Sequence, residues 1–109
     1  MTGQDLYAST LKVATQMDEA ISDMREYGLA MAEAERDYRV SKAKEIARLR
    51  IEQNTPVSIV ESLANGTEDV ATARLERDKH EVMHKVAIER LQKLKREHDL
   101  LKVFLTKEL

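Results

Sequence analysis

One proline and three glycines punctuate a chain of 109 residues, and their positions decide what it can fold into. A proline inside a helix costs about 3 kcal/mol and a glycine about 1 kcal/mol relative to alanine, so stretches without either are free to be helical. Residues 4–53 contain a single breaker, Gly28, and residues 68–109 contain none; Pro56 and Gly66 stand between them. The sequence predicts a long helix over about 4–53, a short one over 56–65 and a return helix over 68–109. The expected fold is all-α: one domain, a long antiparallel helical hairpin of coiled-coil character with a short connecting helix.

Apolar residues of the first arm recur every seven positions in three adjacent rows: Met17, Met24, Met31 and Tyr38; Tyr7, Ala14, Ile21 and Gly28; Leu6, Val13, Ala20, Tyr27 and Ala34. A two-stranded coiled coil needs two such rows, so the third predicts that this helix meets more than one neighbour. On the return helix His80, His84, Ala87, Leu91, Leu94, His98, Leu101 and Leu105 alternate steps of three and four. The residues expected to pack the helix seam, or an oligomer built on it, are Ile21, Met24, Met31, Tyr38, Leu91, Leu94, Leu101 and Leu105. A lone pair of helices would leave the wide stripe partly wet, and self-association as a dimer or higher, first of all as an antiparallel four-helix bundle, is the expected remedy. Beyond Tyr38 the rows reach Lys42 and Glu45 while the apolar positions become Ala43, Ile46, Ala47, Leu49 and Ile51. That change of phase predicts a stutter in the packing.

At the elbow, Asn54 and Thr55 precede Pro56, a residue suited to the first turn of a new helix. Val57, Ile59, Val60 and Leu63 are then available for burial, Gly66 is the expected left-handed stop, and Thr67 is placed to cap the return helix, with Glu68 and Asp69 in its first turn. Residues 54–69 hold three acids and no base, which argues against a DNA-reading helix-turn-helix.

Composition narrows the function. Charged residues make up 35%, aromatics 4%, and there is no cysteine, which removes disulfides, thiolate metal sites and a cysteine nucleophile together. The start lacks a basic segment leading into an apolar run, and no stretch approaches the roughly 18 apolar residues of a membrane span. The expectation is a soluble, cytoplasmic chain with no membrane partner. Residues 1–37 carry eight acids against three bases, whereas from Lys85 onward seven bases stand against four acids. In a hairpin these arms lie side by side, so mutual pairing is the simplest use of the charge. Nucleic acid is disfavoured as a partner, because Phe104 is the only aromatic on the basic arm.

His80, Glu81, Val82, Met83 and His84 match H-E-x-x-H, in which two histidines one turn apart bind zinc and the glutamate activates water. A third ligand is needed, and His98 lies fourteen residues further along the same helix, roughly 21 Å away. Glu97 and Glu108 share the difficulty. His80 and His84 therefore stand only as an alternative metal or pH-sensitive pair, packing is their expected role, and no catalytic, cofactor-binding or metal residue is assigned. Gly-rich phosphate loops and nucleophile elbows are absent from the sequence.

Three segments carry a resemblance: residues 38–50, beginning at Tyr38 and rich in lysine and arginine; residues 55–66, with the proline elbow and glycine stop; and residues 70–78, which end in Glu76, Arg77 and Asp78. Over these central positions the chain resembles small helical proteins encoded by tailed phages and prophages of Gram-positive bacteria. The resemblance implies a phage accessory protein in the host cytoplasm and supplies no catalytic residues or cofactor. The expected function is a non-enzymatic, oligomeric protein-interaction module that binds a host or phage protein, inhibition of a host defence protein being one form of this. The alternative is an accessory factor in phage DNA replication or recombination, with weak nucleic-acid contact through residues 39–50 and 93–96. A small-molecule sponge and an H-E-x-x-H zinc hydrolase stand behind both.

Overall fold

The computed structural model describes residues 2–108 and is all-α, a helical hairpin of three helices: α1 (Gly3–Glu52), α2 (Val57–Asn65) and α3 (Glu68–Glu108). Two long helices joined by a short one follow directly from the placement of the breakers, and the helix limits depart from those expected by one residue at most. The expected end of the return helix at Leu109 lies outside the described residues. The chain divides into two compact units, Met1–Tyr27 with Met83–Leu109, and Gly28–Val82.

The start of α1 carries a capping device that the sequence pattern did not bring forward. The Thr2 backbone N–H and hydroxyl donate to the Asp5 carboxylate at 3.1 and 2.9 Å, and the Asp5 N–H donates back to the Thr2 hydroxyl at 3.2 Å. Two donors that the first turn leaves unpaired are satisfied reciprocally. The Thr2 backbone N–H, then its hydroxyl, hold the Asp5 carboxyl below its usual range.

In the first unit the row Leu6, Val13 and Ala20 is buried, and Val13 and Ala20 meet Leu91 and Leu94 of α3 in one apolar cluster. Met17, Met24 and Leu101 pack against it. The outer row fares differently: Tyr7 is exposed, and Ile21 retains 37% of its surface. Of the expected packing residues in this unit, Leu91 and Leu94 are buried, Met24, Leu101 and Leu105 are half-buried, and Ile21 faces solvent. The charged arms do pair through Arg90, which reaches Glu19 at 3.6 Å and Asp23 at 3.4 Å.

In the second unit, Ala34, Tyr38 and Val70 are buried, Met31 is half-buried, and a separate apolar cluster joins Leu49 and Ile46 of α1 to Val60 and Ala64 of α2. The change of phase beyond Tyr38 is thus a change of partner. Up to Tyr38 α1 presents its stripe to α3, and from Ile46 it presents a rotated one to α2.

The elbow corrects three expectations. Gly66 is not left-handed; its φ of −85° and ψ of −8° are those of a right-handed helical residue. The left-handed position is Asn54, with φ of 50°, where a short polar side chain tolerates the conformation best after glycine. That turn lets the Thr55 N–H reach back to the Leu49 carbonyl at 3.0 Å and end α1. Pro56 is the cap of α2 and not its first residue. Of the four α2 residues available for burial only Val60 is buried, because nine residues offer α1 a single narrow face.

Since Gly66 has a negative φ, and an added Cβ would meet only carbonyl oxygens at 3.5 and 3.7 Å, Gly66→Ala should be neutral or stabilise by up to about 1 kcal/mol through the unfolded chain. Asn54→Ala, at the left-handed position, should destabilise by about 1 kcal/mol. Urea denaturation of both variants checks the assignment; the reverse order would restore Gly66 as the left-handed stop.

Candidate functional site

The elbow presents a short helix whose inner face is fastened and whose outer face is bare. α2 is nine residues long, too short to hold its shape in isolation, so its stability is borrowed from α1. Val60 and Ala64 supply the apolar anchor. Around them the Lys42 ammonium donates to Glu61 at 2.6 Å, the Tyr38 hydroxyl donates to the Asn65 side-chain carbonyl at 3.3 Å, and Arg50 donates to the Thr55 backbone carbonyl at 2.8 Å. The Thr67 hydroxyl donates to the Ala64 carbonyl at 2.7 Å and closes the end of α2, while the Thr67 carbonyl accepts from the Ala71 N–H at 2.9 Å, which places Thr67 at the expected cap position of α3.

Tyr38 is the hinge pin of this region. Its ring carries the Arg77 guanidinium at 4.6 Å from the centroid on α3 and the Lys42 ammonium at 5.7 Å on its own helix. Arg77 is held in turn by Asp78 at 2.9 Å and Glu35 at 3.4 Å. One buried aromatic therefore links all three helices, through its ring to α3 and through its hydroxyl to α2.

One flank of α2 is apolar, while Ser58 and Ser62 face outward opposite Val60 and Ala64. Ile59 and Leu63 lie one turn apart on α2 and are both about half exposed, Val57 is more so, and Ile51 at the last turn of α1 is 81% exposed. Ile59 and Leu63 share one flank of this short, braced helix and suit an apolar partner, while Val57 lies roughly 160° round the helix from Ile59 and Ile51 belongs to α1. Helical periodicity marked Ile59 and Leu63 as apolar, but it gave no means of telling the inner flank of α2 from the outer.

Electrostatics at the elbow follow the pairing. The hydrogen bond from Lys42 holds the Glu61 carboxyl below its usual range, and the same bond raises Lys42. A carboxyl lowered in the folded state contributes stability that is fully present above its unfolded pKa of about 4.3 and is lost as pH falls through the lower folded value. A carbon-detected NMR titration should place the Glu61 midpoint below that of a model peptide, and Lys42→Ala should return it; an unchanged midpoint would mean that the pair does not persist in solution.

A second feature of this unit is a groove of about 540 Å³ between α1 and α3. Ala34 and Ala73 keep its floor low, while Glu33, Asp37, Asp69 and Glu76 line it with His80. Four carboxylates make the groove attractive to cations and hostile to phosphates. His80 is thus set beside acids. His84, the other half of the H-E-x-x-H match, is half-buried in the first unit, as is His98. Among the described residues no group of three or more histidine, aspartate or glutamate side chains could hold a metal ion, and no helix is long and apolar enough to cross a membrane.

No protein-family model, curated protein or solved structure matches the chain.

Proposed function

We propose that this chain is a non-enzymatic interaction module, self-associating and binding a host or phage protein through its elbow, in the setting of a phage accessory protein that its sequence resemblance implies. The carrying observation is the elbow itself: α2 is fastened to α1 by Val60, Ala64 and two polar contacts, with Arg50 holding the Thr55 carbonyl just before it, while Ile51, Val57, Ile59 and Leu63 remain exposed. Ile59 and Leu63, exposed one turn apart beside an ordered anchor, offer a partner two apolar footholds, and helix faces of this kind bind through a few such residues. Inhibition of a host defence protein is one form such binding would take.

The elbow suits nucleic acid poorly. Residues 54–69 hold three acids and no base, and the neighbouring groove is acidic, whereas a phosphate-binding surface needs unopposed bases. The test is affinity capture from host lysate, with nuclease present, of the tagged wild type beside an Ile59→Glu, Leu63→Glu variant. A stoichiometric protein retained by the wild type and lost from the variant is the expected result. Loss of all capture on nuclease treatment, together with binding that falls steeply with salt, would replace this reading with the replication or recombination factor.

A further inference from the structure

The first unit has a flank on which its unused charges and its exposed apolar residues coincide. On α1, Lys12, Glu19 and Glu26 form one row seven residues apart; on α3, Met83, Arg90, Glu97 and Phe104 form another, with Val86, Lys93 and Leu100 in the row outside it. Arg90 fixes how these rows lie, because its contacts to Glu19 and Asp23 place both on the same side of the helix pair. Met83, Val86, Leu100 and Phe104 are each between about two-fifths and just over half exposed, in two patches with Arg90, Lys93 and Glu97 between them. Lys12, Lys93 and Glu97 are exposed and make no ion pair among the described residues.

The two helices run antiparallel, and Arg90 is level with the turn from Glu19 to Asp23. Counting along both helices at about 1.5 Å per residue sets Lys12 level with Glu97 and Glu19 level with Lys93. We propose that this flank is where a second copy of the chain docks, face to face, about a two-fold axis parallel to the helices. Such an axis preserves level and exchanges the helices, so α1 of one copy lies over α3 of the other. Lys12 then meets Glu97 of the second copy, and Glu19 meets Lys93 of the second copy, each pair occurring twice. The apolar patches at the two ends close over the opposing α1, and the result is a four-helix bundle with an isologous interface.

Complementary charge fixes the register of the two copies, while burial of Met83, Val86, Leu100 and Phe104 supplies the affinity.

This inference rests on the self-association read above, and the experiment separates the two. Sedimentation equilibrium of the full chain is expected to give twice the 12.5 kDa chain mass. Lys12→Glu and Glu97→Lys should each raise the dimer dissociation constant about tenfold, since each reversal turns two attractive exposed pairs repulsive, and the double variant should return it to within about twofold of wild type. Leu100→Glu with Phe104→Glu should give a monomer of undiminished helical circular dichroism. A dimer indifferent to these changes overturns this interface and leaves self-association standing, with the flank of Tyr7 and Ile21 as the next place to look. A wild type that stays monomeric to about 100 μM overturns both.

Discussion

Replacing Tyr38 by alanine should destabilise the chain by about 3 to 4 kcal/mol, the range for removing a buried aromatic. Tyr38 is 8% exposed, the Arg77 guanidinium lies 4.6 Å from its ring centroid, and its hydroxyl reaches Asn65 at 3.3 Å. The loss has separable parts. Tyr38→Phe keeps the ring and gives up only a long hydrogen bond, so it should cost about 0.5 to 1 kcal/mol. Arg77→Met keeps the aliphatic packing but removes the cation over the ring and its pairing with Glu35 and Asp78, again about 1 kcal/mol. The alanine variant removes all of these and leaves a void where three helices meet. In thermal denaturation it should melt upwards of about 10 °C below wild type, with the amides of α2 losing hydrogen-exchange protection first, since Tyr38 is one of few ties on that helix. Equal loss of protection across the chain would mean that α2 does not depend on Tyr38.

That dependence shows where sequence reading stops. The three helices were legible because breakers are local: Pro56, Gly66 and the long stretches without either act through their own backbone. The seam was legible in part, because periodicity reports which residues share a face but not which face is covered. Leu91 and Leu94 occupy the rows that meet α1, whereas Tyr7, in an equally regular row, is 57% exposed and Ile21 keeps 37% of its surface. The same limit operated on α2, where Val60 went in while Ile59 and Leu63 stayed out. Assigning the left-handed stop to Gly66 over Asn54 relied on propensity, and the end of α1 required that conformation twelve residues before Gly66. The contacts of Tyr38 with Arg77 and Asn65 span 39 and 27 positions of sequence, a separation that no local pattern encodes. Function was least legible, since an interaction surface is defined by what covers it.

Leu94→Ala should be the largest single loss in the first unit, about 3 kcal/mol, while Leu100→Ala on the same helix should change the stability of the isolated chain by no more than about 0.5 kcal/mol. The two leucines are six residues apart and chemically identical. Leu94 is 7% exposed within the cluster of Val13, Ala20 and Leu91; Leu100 is 55% exposed. Truncating Leu94 leaves a cavity, because Ala20 and Val13 are too short to fill it and sit on a continuous helix that cannot move inward at one point. Truncating Leu100 leaves no cavity, only less apolar surface in water. The contrast sharpens when chain concentration is varied. A dimer that buries Leu100 couples folding to association, so the apparent stability of the wild type rises with concentration. Leu100→Ala should then look neutral in dilute chain and destabilising in concentrated chain, whereas the deficit of Leu94→Ala should be large at both. Urea midpoints at two concentrations a hundredfold apart make the comparison. A Leu100→Ala deficit that does not change between them would mean that Leu100 stays in water at every concentration, and that the flank it belongs to has no second copy on it.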